Sequence, residues 1–241
     1  MASYDKERFM IDKKLLLTGA PYLDDAALDR FDTYAAELVV WNEKINLTAI
    51  TEPDEIVRKH FLDSLAVLDY VKLPEGASLI DVGTGAGFPG LALLIARPDL
   101  KTTLLDSTEK KLKVLSDILD KLNLSADLVH MRAEEAGRDE RYREQFDFAT
   151  ARAVAELKVL SEYCLPFVRK GGFFISMKGA ESEKELADAE NAIAVLGGKV
   201  SNMNRFELDG CGERAIISIE KINFTDKKYP RPAGQMKKKP L

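Results

Sequence analysis

Apolar positions recur every three or four residues through the first part of the chain. Leu28, Phe31, Tyr34 or Ala35, Leu38, Trp41 and Ile45 share one face of a predicted helix. Asp24 or Asp25 stands where its N-cap belongs. Before it, Phe9, Leu15, Leu16 and Leu17 mark a shorter amphipathic stretch that ends near Thr18-Gly19, with Pro21 beyond. A third helix is predicted to open at Glu52-Pro53, since proline suits a first helical turn. Ile56, Val57, Phe61, Leu65 and Leu68 form its apolar stripe. Pro74-Glu75-Gly76 is the first clear breaker, so residues 1–73 read as a helical extension.

After the breaker the period changes. Strand patterns at 78–82, 102–105, 127–130, 146–150 and 172–177 alternate with helical patterns at 90–96, 109–122, 156–168 and 181–196. This alternation predicts an α/β fold, with parallel strands joined by helices on both faces. Residues 199–208 and 214–219 depart from it as two strands joined by Asp209-Gly210-Cys211-Gly212-Glu213, a hairpin. A mostly parallel sheet with an antiparallel last strand is therefore expected over 74–224. Pro230, Pro232, Gly234 and Pro240 predict an irregular tail over 225–241.

Composition narrows the class. At 241 residues, 46% apolar and 31% charged, the chain reads as one large globular core with an appended element. No window approaches about 18 uncharged apolar residues, so no membrane span is expected. Charge begins at residue 5 with no apolar run or cleavage site after it, so no secretory leader is expected. Cys164 and Cys211 have no metal or redox spacing, and a reduced cytoplasmic protein without metal is the expectation. A monomer is the default, although nothing in the sequence sets the oligomeric state.

The net charge of −5 argues against an indiscriminate polyanion binder. Yet residues 221–241 carry Lys221, Lys227, Lys228, Arg231, Lys237, Lys238 and Lys239 against Asp226 alone. A basic tail on an acidic body reads either as a solubilising terminus or as the contact for a local anionic partner.

The strongest chemical signal is Leu79-Ile80-Asp81-Val82-Gly83-Thr84-Gly85-Ala86-Gly87-Phe88-Pro89-Gly90, a buried strand, a glycine-rich turn and a helix start. Glycines let the chain turn sharply and let a ligand approach the backbone. Gly85, Gly87 and Gly90 formally match the dinucleotide fingerprint, but that register starts too far from the strand end at Val82. The register set by Asp81, Gly83, Gly85 and Gly87 resembles instead the first motif of Rossmann-like methyltransferases that use S-adenosylmethionine (AdoMet). There the loop meets a zwitterionic amino acid tail, beside which an acidic residue is sensible. Asp106 ends the next strand, 23 residues after Gly83, where a carboxylate can accept both ribose hydroxyls. The ribose role is favoured over the other one open to it, the cap of the following helix, which Ser107 could serve as well. Aromatic-flanked Asp/Asn-Pro-Pro, typical of exocyclic amine methylation, is absent, and neither cysteine sits in a nucleophile context.

Over nearly its whole length the chain resembles the RsmG family, also called GidB, bacterial 16S ribosomal RNA guanine-N7 methyltransferases with a Rossmann-like class I fold. Trp41-Asn42-Glu43-Lys44-Ile45-Asn46-Leu47-Thr48 and Arg58-Lys59-His60-Phe61-Leu62-Asp63-Ser64 resemble its N-terminal signatures. The cofactor loop through Phe88-Pro89-Gly90, Leu105-Asp106-Ser107, Arg132-Ala133-Glu134, Ala151-Arg152-Ala153 and Lys178-Gly179 follow in family order. Tyr229-Pro230-Arg231-Pro232-Ala233-Gly234 resembles the longer family C-terminus, with a departure at Gln235-Met236. The resemblance implies AdoMet contacts at Gly83, Phe88, Ala133, Glu134 and Arg152, and the chemistry above adds Gly85, Gly87 and Asp106. It raises Asn46, His60 and Arg152 as positioning candidates. Outside the motif, Asn46 could simply end a helix and His60 reads as a core histidine.

Guanine N7 carries an exposed lone pair and no proton, so its methylation needs alignment rather than a general base. That edge is hidden in the deep groove of A-form RNA, so the target should be a loop or extruded base. Arg58, Lys59, Arg152, Lys178, Arg231, Lys237, Lys238 and Lys239 are candidates for contact with 16S ribosomal RNA or the small subunit. A small-molecule methyltransferase and a non-catalytic AdoMet- or RNA-binding module are the alternatives.

Overall fold

The computed structural model describes residues 9–241; the charged opening read above, residues 1–8, lies outside the described residues. Helix α1 (Lys13–Gly19) is capped by Asp12, whose carboxylate accepts from the Lys14 and Leu15 amides. Helix α2 (Asp25–Asn42) is capped by Asp24, which accepts from the Ala27 amide at 2.7 Å. Its predicted stripe is buried at Leu28, Phe31, Tyr34, Ala35 and Leu38, with Trp41 partly buried against the same core.

The third helix is not uniform. Helix α3 (Pro53–Ile56) widens into a π-helical segment (Val57–Leu62) and continues as α4 (Asp63–Tyr70). The wider turn rotates the residues after it, so that His60, Phe61, Leu62, Asp63, Ser64 and Leu65 are all buried. A single apolar stripe does not predict this. Such π segments recur at functional sites because they reaim side chains without ending the helix.

Strand β1 (Ser78–Val82) leads through the glycine loop into α5 (Gly90–Ala96). There follow β2 (Lys101–Asp106), α6 (Glu109–Leu122), β3 (Asp127–His130), α7 (Ala133–Ala136), β4 (Phe146–Arg152) and α8 (Leu157–Cys164). The chain closes with β5 (Val168–Lys178), α9 (Ser182–Val195), β6 (Gly198–Leu208), β7 (Gly212–Lys221) and α10 (Ala233–Lys238). The described residues form a seven-stranded sheet in the order β3-β2-β1-β4-β5-β7-β6. β7 is antiparallel to both β5 and β6, and the remaining pairs are parallel. The last strand is thus antiparallel, as expected, but it is inserted between β5 and β6, which leaves β6 at the edge.

Two expectations are corrected. The helix predicted over 156–168 stops at Cys164, because Pro166 has no amide proton to continue it. A 3-10 turn (Leu165–Phe167) follows, and Val168 already pairs with Phe146 in the sheet. The tail is not wholly irregular either: α10 forms after Pro232, and Met236 is completely buried. One core joins α2 and the α3–α4 helix to α5 and α6 on one face of the sheet. The other joins α8 and α9 to Tyr229 and Met236 of the tail. Among the described residues no helix is long and apolar enough to cross a membrane.

Candidate active site

The sheet order reverses between β1 and β4, and ligands of open α/β sheets bind outside the strand ends at such a point. At the end of β1 the Gly83 and Thr84 amides both donate to the Leu105 carbonyl, at 2.8 and 3.0 Å, which turns the chain away from the sheet. Gly83, Gly85 and Gly87 have φ of +75°, +59° and +103°, a region that side chains disfavour. Two of them are also crowded. A Cβ at Gly83 would stand 2.9 Å from Val154 Cγ2, and one at Gly87 2.5 Å from the Tyr34 hydroxyl oxygen. Tyr34 donates to the Ala86 carbonyl at 2.6 Å, so α2 pins the loop from behind.

Asp81 is completely buried, and among the described residues its Oδ1 has no hydrogen-bond partner. Its Oδ2 accepts from the Gly90 amide at 2.9 Å and thereby ties β1 to the start of α5. Burial pushes its carboxyl up to about 6.

A cavity of about 660 Å³ lies at the ends of β1, β2 and β3 and beside the segment after β4. Gly83, Asp106, Ala133 and Glu134, four of the residues read as cofactor contacts, line it. Asp106 accepts from the Gly85 amide at 2.9 Å and from the Thr108 amide at 2.8 Å. It therefore orders the loop and the start of the next helix, and its remaining lone pairs can still accept hydroxyls. Leu105, Met131, Val159 and Tyr163 supply an apolar slot beside them. A carboxylate at the end of β2, an apolar slot for a flat base and a bare backbone at Gly83, where a side chain would fill the space, fit an adenosine-bearing cofactor. Gly85 and Gly87 shape the loop without lining this cavity, and Phe88 is buried beneath it.

A second cavity, about 450 Å³, adjoins the first. Both are lined by Val154, Ala155 and Glu156, the segment leaving β4. The second is walled by charge: Asp63, Arg152, Lys178, Glu185 and Arg214. Arg152 stands here rather than in the first cavity, at the seam between them. Ala153 beside it is left-handed, with φ +56°, strain of the kind that clusters at functional sites.

Arg152 is held from several sides. Its Nη1 donates to Asp63 Oδ2 at 2.8 Å and to the Lys59 carbonyl at 3.0 Å. Asp63 Oδ1 accepts in turn from Arg214 Nε at 3.0 Å. Arg152 Nη2 is 3.2 Å from His60 Nδ1, and a guanidinium only donates, so Nδ1 accepts. The His60 proton then sits on Nε2 and is donated to Thr48 Oγ1 at 2.8 Å. Burial, with the charge of Arg152 adding to it, holds the imidazole down to about 4. His60 is thus a neutral link between the N-terminal helices and β4. Its ring stacks on Phe88 at 4.4 Å, and the Arg152 guanidinium lies 4.9 Å from the same ring.

The other candidates divide. Asn46 is exposed on the turn after α2, a turn closed by Asn42, which accepts from the Leu47 and Thr48 amides. Arg58 pairs with Asp209 of the hairpin loop, and Lys59 with Glu55. Lys178 is nearly buried, donating to the Ala155 carbonyl and pairing with Glu185 at 2.7 Å. Arg231, a candidate for RNA phosphates, pairs with the buried Glu162 and keeps 15% of its side chain exposed. Lys237 stands on the wall of the first cavity, and Lys238 and Lys239 are exposed. Sequence reasoning gave no role to Tyr34, Asp63, Glu162, Glu185 or Arg214. Asp63 lies inside a quoted motif; the others carry no local signal.

The family pattern for rRNA small subunit methyltransferase G matches residues 27–236. The chain belongs to the GidB family. A "Ribosomal RNA small subunit methyltransferase G" of Alkaliphilus metalliredigens is 49% identical over 222 residues, 91% of this chain and 93% of that protein. One from Brevibacillus brevis is 47% identical over 238 residues, 98% of this chain and 99% of its own length. Likeness of fold extends further. The YcgJ protein of Bacillus subtilis has a TM-score of 0.53 at 12% identity, over 68% of this chain and 100% of that one. TYW2 of M. jannaschii, solved in complex with AdoMet, has a TM-score of 0.52 at 11% identity, over 67% of this chain and 76% of that one. In this GidB chain the paired cavities sit where the sheet order reverses, on a sheet of the fold shared with these two structures.

Proposed function

We propose that this chain transfers the methyl group of AdoMet to N7 of one guanine in small-subunit ribosomal RNA. The supporting observation is the seam at residues 154–156, where a cavity suited to a nucleoside cofactor meets one walled by paired charges. Asp106 would take the ribose hydroxyls, Ala133 and the apolar slot the adenine, and the Gly83 turn the amino acid end. Bound there, AdoMet supplies an electrophilic methyl group.

The second cavity would take the guanine. Arg152, Lys178 and Arg214 offer donors to its O6 and to neighbouring phosphates, and Asp63 and Glu185 offer negative charge as the purine becomes cationic. N7 needs no deprotonation, which agrees with His60, buried and neutral, being tied at both ring nitrogens. The task left to the chain is alignment and exclusion of water. For N7 to reach the methyl group, the guanine would have to lie in a loop or leave its stack.

The test is to incubate the chain with labelled AdoMet and small-subunit RNA or subunits from cells lacking this gene, then to cleave at N7-methylguanine. One discrete labelled guanine is expected. AdoMet bound without label in any of these RNAs would contradict the proposal and favour a small-molecule acceptor.

A further inference from the structure

The C-terminal segment is built into the wall of the cofactor cavity. Ala233, Lys237 and Pro240 line that cavity directly. The segment is fastened there by a clasp: Arg231 meets Glu162 of α8 at 2.6 and 2.9 Å, and its own amide adds a bond to Glu162 at 2.7 Å. The side chain of Glu162 is only 1% exposed, and among the described residues Arg231 is the cation that compensates its burial. Met236 is fully buried next to it, and Arg138 and Arg143 bind the Pro230 and Tyr229 carbonyls at 2.7 and 2.9 Å. A tail that served only to reach RNA would have no reason to bury a cation and a methionine beneath itself. One turn of the same helix α8 carries Val159 and Tyr163 into the cavity, so clasp and cavity share a support.

We propose that the segment from Arg231 to Pro240 is a cofactor-retaining wall, with Arg231 its positioning residue. Ala233, Lys237 and Pro240 then touch the bound cofactor, and releasing the clasp opens the cavity to solvent. The inference rests on the AdoMet reading above.

The test uses the full chain, with AdoMet and S-adenosylhomocysteine as probes, at temperatures well below unfolding. Arg231→Met should weaken binding by calorimetry about tenfold, chiefly through faster dissociation, and Arg231→Lys should recover part of the loss. Ala233→Trp, which leaves the clasp intact, should weaken binding to a similar degree with an unchanged melting temperature. In the parent chain the bound probe should slow tryptic cleavage after Lys237 and Lys238 about tenfold. Probe affinity unchanged in both Arg231→Met and Ala233→Trp, or a tail protected by RNA and not by the probe, would overturn the wall. A parent chain that binds neither probe would overturn the AdoMet reading and the wall with it. Binding by the parent with insensitive variants would overturn the wall alone.

Discussion

The two cavities are made of different material. The first is built around a backbone turn, with Gly83 left-handed after β1 and its amide turned onto Leu105, beside the carboxylate of Asp106 and an apolar slot. The second is shaped by long charged side chains that orient one another, with Asp63 between Arg152 and Arg214 and Glu185 beside Lys178. On the proposed reading the cofactor, the same in every turnover, would meet a fixed backbone turn and the Asp106 carboxylate. On the same reading the base would arrive on a large polyanion and be met by a charge network spanning the N-terminal helices, β4 and β7.

The sharpest break should come at Gly83. Gly83→Val places a branched side chain at positive φ and against Val154, and AdoMet affinity by calorimetry should fall at least ~1,000-fold, about 4 kcal/mol. Next is Asp63→Ala, which strands Arg152 and Arg214 together; denaturant unfolding should show a loss of about 3 kcal/mol. If stability is unchanged, the network does not join the helices to the sheet. Tyr34→Phe removes the bond to the Ala86 carbonyl from a buried site and should cost about 1–2 kcal/mol in the same assay. Its effect on AdoMet affinity should be only a few-fold, since the loop is held by its turns as well as by α2.

The smallest effect is visible only as a function of pH. The His60 imidazole takes up its proton near 4 when folded, against an ordinary value of 6.5. Between those values the unfolded chain binds more protons, so this group removes stability as pH falls through the window. His60→Asn abolishes that dependence. The stability advantage of the parent over the variant should be largest above pH 6.5 and shrink toward pH 4. A constant difference across the range would mean that His60 is not held neutral by the fold.

The contrast between the cavities also explains what was legible in the sequence. Gly83, Gly85, Gly87 and Asp106 follow from local backbone demands within one β-α-β unit, and a reader of the sequence meets them in order. The α/β alternation and the hairpin were legible for the same reason. The charge network was not: Asp63 and Arg214 are 151 residues apart, and Asp63 and Arg152 are 89 apart. Nothing in either neighbourhood announces the partner. The π-helical segment was missed because an apolar stripe read at ordinary helical spacing does not register one extra residue. The tail was misread because Pro230, Pro232 and Gly234 signal irregular chain, whereas Glu162, 69 residues before Arg231, decides where it lies.

The division of labour is tested most directly at Arg214, which lines the second cavity and not the first. Arg214→Met should be titrated with AdoMet by calorimetry and, in parallel, given small ribosomal subunits in a single-turnover methylation assay. The expected result is an AdoMet Kd within about twofold of the parent and a methylation rate lower by about 100-fold. Loss of both in parallel, or of neither, would contradict the assignment of cofactor and guanine to separate cavities.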